Sequence, residues 1–327
     1  MEQLIALIKS SIVFGTVIMY GCMGETLTEK SGNLNLGVPG IMYLGGISSL
    51  IGVFFYERAV EHPNAVLCLL IALVCGFGAS ALAGLLYSFL TITLRANQNV
   101  TGLTLTIFGS GIANFFGGSL NKLAGGVGQI SVSATSAAFR TQLPVLSEWG
   151  AVGKMIFSYG FMVYLAVIIA VVMHWYLTRT RSGLNLRAVG ENPATADAVG
   201  INVTKTKYLA TCIGAGISGL GGVYYVMDYI KGTWANDGSI EKLGWLAVAL
   251  VIFTTWKSVN SIWGAYLFGV LYWMYFYIPN LTRSSQELFK CLPYIVTILV
   301  LIISSTRKKK EQQAPAHLGL SYFREDR

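Results

Sequence analysis

Charged side chains are scarce in this sequence of 327 residues, since aspartate, glutamate, lysine and arginine together make up only 12% of it. Soluble domains carry about 25% of such residues. The hydrophobic share is 54%, the mean hydropathy is +0.60, and no polar stretch is longer than about 40 residues. These properties exclude a sizeable soluble domain and indicate a protein that crosses a membrane several times.

The residue patterns of catalytic and metal sites are missing as well. The five cysteines form no CxxC pair, and none lies near a histidine at metal-ligand spacing. There is no GxxxxGK[ST] loop for ATP and no HExxH. The string GISG at 216–219 is similar to an intramembrane serine nucleophile motif, but none of the three histidines lies in a later span to act as base. We therefore expect no enzyme activity, no catalytic residue, no metal and no cofactor.

Long apolar runs are what the sequence has instead. A bilayer core needs about 20 apolar residues per helix. We therefore predict an all-α polytopic membrane bundle of about nine transmembrane helices (eight to ten), forming one transmembrane domain over 1–306 and followed by a basic cytoplasmic tail over 307–327. The predicted spans lie near 4–24, 40–56, 65–94, 101–118, 157–178, 207–227, 243–256, 261–280 and 287–306.

The net charge of +8 fits such a topology. With nine spans and the C-terminus inside, 14 of the 23 lysines and arginines fall on the cytoplasmic side. Cytoplasmic loops of membrane proteins carry this excess. We therefore expect the N-terminus outside and the C-terminus inside, and we attribute the basic balance to topology and not to nucleic-acid binding.

The most polar interior segment, 179–207, contains a short helix with both ends marked. Asn192 can accept an otherwise unpaired N–H of the first turn, and Pro193 suits the first helical position. Gly200 suits a left-handed stop. A helix this short is marginal alone in water and needs a surface to lie against. The segment is either a docking element or an ordinary cytoplasmic loop whose charges only set the topology.

The string RAVGENPATADAVGI within this segment resembles the cytoplasmic coupling loop of bacterial ABC-importer permeases, in the superfamily for nucleosides, simple sugars and branched-chain amino acids. We call 179–207 the coupling loop. The resemblance implies that its short helix docks into a groove on a separate ATP-binding subunit. The implied coupling residues are Arg187, Gly190, Glu191, Asn192, Pro193, Ala194, Ala196 and Gly200.

Two further segments place polar groups at membrane depth. GETLTEKSGNLNLGVPG, 24–40, is either a plain loop or irregular backbone lining a cavity, with a half-helix starting near Pro39. It resembles a signature near the start of nucleoside-type permeases, which implies a broken or re-entrant helix beside the substrate path. Polar groups in the span that follows 96–100 serve either helix packing or substrate contact. The candidate path residues are Glu25, Asn35, Asn99 and Asn114.

The resemblance covers nearly the whole chain, including the C-terminal string APAHLGLSYFREDR at 314–327. It implies a permease subunit in the bacterial inner membrane, surrounded by lipid, that imports nucleosides, with simple sugars or branched-chain amino acids as alternatives. The implied partners are an ATP-binding subunit, a sister permease and an extracytoplasmic substrate-binding protein, with no nucleic acid. The alternative of another class is an ATP-independent secondary transporter or channel, against which the near absence of mid-span charges counts.

Overall fold

The computed structural model describes residues 2–123, 125–126, 130–142, 157–278, 282–307 and 313–323. Within these residues the protein is helical and contains no strand beyond a single bridge between Ser131 and Thr233. The first helices are α1 (Glu2–Lys30), α2 (Val38–Ala59), α3 (Ala65–Ser88), α4 (Gln98–Leu123), α5 (Ser133–Phe139) and α6 (Phe161–Arg179). The others are α7 (Arg181–Glu191), α8 (Pro193–Ala198), α9 (Val203–Tyr224), α10 (Ser239–Phe253), α11 (Asn260–Trp273), α12 (Arg283–Lys290) and α13 (Leu292–Arg307).

Helix α1 forms the centre of the bundle and packs against α9, α11 and α10. Its second half is buried almost without interruption. Glycines allow its backbone to touch that of α9, since a Cβ atom on Gly24 would lie 2.1 Å from the carbonyl oxygen of Gly214. Close backbone approach of this kind holds transmembrane helices together where lipid removes the hydrophobic driving force between them.

All nine predicted apolar runs coincide with helices, which confirms the predicted helical bundle. Seven helical segments in the described part of the chain are long and apolar enough to cross a membrane; two of them include a π-helical turn, Phe89–Thr93 after α3 and Tyr225–Tyr229 after α9. The other two runs correspond to α10 and α11, which have 15 and 14 residues. The long third run, 65–94, ends in the first of these π-helical turns.

Contacts at the helix ends place α7 and α8 of the coupling loop, together with the C-terminal residues, at one end of the bundle. The end of α1 lies beside Gly190 of α7, and residues 316–319 bond to the same region. The start of α1, at Glu2, lies at the opposite end, since the helix has 29 residues. We call the end with the coupling loop the lower end of the bundle.

The segment between α1 and α2 returns into the bundle instead of leaving it. Helix α1 continues to Lys30, so residues 24–30 are helical and only Ser31–Gly37, which we call the re-entrant loop, is irregular. The side chain of Val38, the first residue of α2, lies beside Gly21. Gly21 precedes the end of α1 by nine residues, or about 14 Å at 1.5 Å per residue. The predicted irregular backbone is confirmed for this loop, but α2, with 22 residues, is a full-length helix and not a half-helix.

Candidate functional site

Buried polar side chains form hydrogen bonds with the backbone of the re-entrant loop. Its backbone N–H groups donate to side chains, at 2.7 Å from Leu34 to Gln98 Oε1 and at 3.0 Å from Asn35 to Glu25 Oε1. Its carbonyl oxygens accept from the hydroxyl of Tyr87 at 2.6 Å and from that of Thr106 at 3.0 Å. Irregular backbone can lie inside a membrane protein only when it is satisfied in this way. The loop is therefore an ordered part of the protein interior, held by these hydrogen bonds.

The two acidic residues near the end of α1 lie one helical turn apart and face this interior. Glu25 and Glu29 are only 1% and 3% exposed. Glu25 accepts the N–H of Asn35, and Glu29 accepts the indole N–H of Trp256, from the turn between α10 and α11. Both Thr255 and Trp256 have positive φ, 53° and 54°. Non-glycine residues rarely adopt this backbone, so the bond to Glu29 helps to hold a strained turn.

Replacing Trp256 by phenylalanine is expected to lower the free energy of unfolding by about 1–3 kcal/mol, because a buried carboxyl group loses its donor. Phenylalanine keeps an aromatic ring but is smaller than the indole, so a packing loss at this side chain, which is only 9% exposed, adds to the loss of the donor. Thermal melting of the purified protein in detergent would measure the loss. The matched control is Trp263→Phe, on α11, where the indole is 76% exposed. Equal melting temperatures for the two variants would contradict the role of the indole N–H.

The short helix of the coupling loop has the ends that the sequence predicts. The side-chain oxygen of Asn192 accepts the N–H of Thr195 at 3.0 Å, and Pro193 occupies the first turn of α8. Gly200 has φ +86°, and its N–H donates to the carbonyl of Asp197 at 3.0 Å. Capping and the left-handed stop are thus confirmed, and α8 has six residues.

The sequence reasoning missed α7, the 11-residue helix that precedes α8. Its buried residues Gly183, Leu186, Val189 and Gly190 follow a helical period, and Thr180 caps it by accepting the N–H of Gly183 at 3.0 Å. The signal was present, but two glycines lower the helix propensity of this stretch. Helix α7 therefore lies between α6 and α8 and presents one buried face to the bundle.

Gly190 joins α7 directly to the end of α1 and the re-entrant loop. A Cβ atom at this position would lie 2.2 Å from the carbonyl oxygen of Lys30 and 3.3 Å from the nitrogen of Gly32. Real Cβ atoms essentially never approach other atoms at the shorter distance. The glycine thus allows the coupling loop to touch the backbone at the mouth of the re-entrant loop.

Residues 313–323, which we call the C-terminal strap, fasten the same junction. The N–H of His317 donates to the carbonyl of Gly190 at 3.0 Å, and that of Gly319 donates to the carbonyl of Gly32 at 3.2 Å. Burial and the nearby ammonium of Lys207 lower the pKa of His317, so its imidazole is neutral near pH 7. The strap therefore joins α7 to the re-entrant loop by backbone bonds.

The strap also bonds to side chains of the coupling loop. The carboxylate of Glu191 accepts the N–H of Ala316 at 3.3 Å, and the hydroxyl of Tyr322 donates to Asp197 Oδ2 at 3.0 Å. Tyr322 further packs on the small apolar cluster under α8, which includes Val189. The sequence reasoning placed these C-terminal residues in a separate tail and missed this contact, which joins residues 125 positions apart.

The predicted path residues lie in different surroundings. Glu25 and Asn35 are buried together beside the re-entrant loop, at 1% exposure each. Asn99 is exposed at the start of α4, and its neighbour Gln98 takes the interior place, 4% exposed and bonded to the loop. Asn114 is half-buried, and its Oδ1 has no partner among the described residues. The structure therefore brings together two of the four and adds Gln98.

The predicted coupling residues divide between a buried and an exposed face. Gly190, Pro193 and Ala196 are buried, whereas Ala194 is half-buried. The residues open to a partner are Arg187, Glu191, Asn192 and Gly200, together with two apolar side chains that sequence reasoning missed, Leu184 at 48% and Val199 at 73% exposure. These side chains of the coupling loop are therefore accessible to a partner.

Comparison with known proteins gives one family match. The sequence matches the family described as "Branched-chain amino acid transport system / permease component" over residues 7–301. That range contains every predicted span except the first three residues of the first and the last few of the ninth. No solved structure matches the chain.

Relatives with assigned names are similar over nearly the full length. TsgC13 of Haloferax volcanii, whose name gives it provisionally as a glucose ABC transporter permease, is 31% identical over 98% of each chain. The guanosine ABC transporter permease NupQ of Bacillus subtilis is 28% identical over 98% of this chain and 97% of its own. The nucleoside ABC transporter permease NupC of Lactococcus lactis is 27% identical over 91% of each chain.

Proposed function

Because the chain belongs to the family of branched-chain amino acid transport system permease components, we propose that it is the permease subunit of an ATP-driven importer of nucleosides. It is a multi-pass membrane protein, and we place it in the bacterial inner membrane. Its relatives are ABC permease subunits, and ATP hydrolysis in this family belongs to a separate subunit. This chain itself would then carry out no covalent chemistry.

One observation supports coupling through the lower end of the bundle. Gly190 touches the backbone of Lys30 and Gly32, so no side chain stands between α7 and the re-entrant loop. A push on α8 by an ATP-binding subunit would therefore reach the loop, and with it Glu25 and Asn35, through backbone contacts alone. Close-packed elements pass on such displacements because their packing has discrete arrangements.

The outer face of α4 supports a sister permease as the neighbour on that side. Asn99 and Gly111 are exposed on α4, as are apolar side chains such as Ile107 and Phe115, and a Cβ atom on Gly111 would meet nothing within 4 Å. Polar and small residues on the outside of a membrane helix favour contact with protein or water over lipid. We propose that the translocation path runs between the two permeases, past Asn99 and Asn114, with an extracytoplasmic binding protein delivering the cargo.

The cargo assignment is based on the nucleoside-type relatives and on the signature at 24–40. The glucose transporter named among the relatives makes simple sugars the second candidate. Branched-chain amino acids are the third.

Uptake of labelled guanosine, uridine and glucose tests the proposal. Vesicles that contain the chain with its partner subunits and binding protein should accumulate nucleosides when ATP is supplied and little glucose. Replacing the P-loop lysine of the ATP-binding subunit by alanine is the control and should stop uptake. Uptake of glucose alone would overturn the cargo assignment, and uptake that survives the P-loop change would favour an ATP-independent transporter instead.

A further inference from the structure

A cleft at the lower end of the bundle has a basic lining that the proposed coupling role does not use. It has a volume of about 750 Å³, within the range of small-molecule sites. It lies between the end of α3, the start of α4, the junction of α8 and α9, and the C-terminal strap. Its polar and charged lining includes Asn33, Arg95, Gln98, Asp197, Lys205, Lys207 and Tyr322. We call it the basic cleft.

Lys207 lines the inner part of the basic cleft and is the observation that points to a ligand. Lys207 is only 3% exposed, and its ammonium lies beside Gly32. It forms no hydrogen bond or ion pair with any residue in the described part of the chain. A buried ammonium with no counter-charge carries a large desolvation penalty. A bound anion would remove that penalty.

Two further features of the basic cleft suit an anion. Helix α9 begins there, and the first N–H groups of its 22 residues, at Val203 and Thr204, have no acceptor within the helix. Helix N-termini of this kind bind phosphate groups. Arg95 lies across from them with its guanidinium 4.4 Å from the ring centre of Phe323, which holds the planar fork in place for two parallel bonds.

From these contacts we propose that the basic cleft binds a phosphate group, as a monoester or a diester, between Lys207, Arg95 and the start of α9. The one carboxylate in the lining, Asp197, accepts the hydroxyl of Tyr322, and three cationic side chains outnumber it. A phosphate bound there would contact α3, α9 and the coupling loop at once. It would therefore set the position of the coupling loop relative to the spans.

The depth of the basic cleft allows two sources for the phosphate. The apolar spans end at Thr93 and begin at Val203, so the cleft lies level with their cytoplasmic ends. Anionic lipid headgroups occupy that level on the cytoplasmic side. A soluble phosphorylated metabolite has access from the same side. Both sources present the same chemistry to Lys207 and Arg95.

Binding to the intact transporter complex tests the proposal and separates the sources. One arm measures equilibrium binding of labelled adenosine 5′-monophosphate, with inorganic phosphate as competitor, in nanodiscs of phosphatidylcholine alone. The other arm measures phosphatidylglycerol retained by the complex in native mass spectrometry. We expect saturable binding in one arm. Lys207→Gln should weaken it about tenfold or more, as for loss of a charge-assisted hydrogen bond.

Matched variants keep the test decisive. Lys207→Arg retains the charge and should retain binding, and Lys257→Gln, an exposed lysine outside the basic cleft on the same end of the bundle, should bind as the unchanged protein does. Arg95→Gln should also weaken binding, so the result does not depend on one variant folding. Absence of saturable binding in both arms, or equal binding by the Lys207→Gln and Lys257→Gln proteins, would overturn the proposal.

Discussion

Replacing Gly190 by alanine is expected to reduce ATP-driven uptake about tenfold or more, although the change adds only one methyl group. That methyl would lie 2.2 Å from the carbonyl oxygen of Lys30, so α7 must move away from the end of α1. Forced overpacking of this kind costs about 1–3 kcal/mol. The displacement would break the direct backbone contact through which we propose that the coupling loop moves the re-entrant loop.

The same substitution at Gly78, inside α3 and outside the coupling loop, is the control. A Cβ atom there meets nothing within 4 Å, and the backbone is helical, so alanine fits without displacement. Uptake and co-purification of the ATP-binding subunit are measured for both alanine variants at equal membrane levels. If Gly190→Ala transports as well as Gly78→Ala, the contact between α7 and the re-entrant loop does not carry the coupling.

Ending the chain after residue 312 is expected to abolish most of the uptake while leaving the transmembrane bundle intact. The truncation removes four hydrogen bonds to the coupling loop and the re-entrant loop, from the N–H groups of Ala316, His317 and Gly319 and the hydroxyl of Tyr322. At about 1 kcal/mol each, their loss would free α7 and α8 from a fixed position. An ATP-binding subunit could then move them without moving α1.

Hydrogen exchange of the backbone amides in 181–200 gives a readout besides uptake. Exchange should become faster in the truncated protein and, to a smaller extent, in Tyr322→Phe, which loses only the bond to Asp197. Leu320→Ala is the matched control, since this strap side chain is 56% exposed. Unchanged exchange and full uptake in the truncated protein would show that the strap does not position the coupling loop.

The Gly190→Ala and truncation experiments both test whether the coupling loop is mechanically connected to the interior of the bundle. The coupling loop is exposed enough to meet a partner, yet it is fixed to the interior at Gly190 and by the strap. Its helices α7 and α8 are short and would be marginal alone. Their stability therefore comes from packing and from the strap.

Sequence reasoning reached the features that depend on local chemistry. The composition and the apolar runs predicted a bundle of membrane helices, and the nine runs coincide with helices. Asn192, Pro193 and Gly200 predicted the ends of α8, because a cap, a fixed φ and a left-handed stop act within one turn of backbone. The resemblance of RAVGENPATADAVGI, with the strings at 24–40 and 314–327, predicted the family that the match over residues 7–301 shows.

Interior placement of the polar residues could be predicted only in part. Glu25 and Asn35 were expected beside the re-entrant loop and are buried there. Gln98 was missed in favour of Asn99, since adjacent residues on a helix differ by about 100° in direction and the sequence shows no preference between two neighbouring amides. The packing of α4 on α2 decides which residues of α4 face the interior.

Hydropathy, capping and short motifs are properties of neighbouring residues. They were therefore enough to predict the helical membrane class, the capped helix of the coupling loop and the family. Packing between distant segments places the re-entrant loop inside the bundle and brings Gly190 against Lys30. It also brings Glu29 into contact with Trp256 and the strap into contact with the coupling loop. Each of these contacts joins residues far apart in the chain. Their pairing depends on which helices pack together, and neither the 3.6-residue period nor hydropathy carries that information.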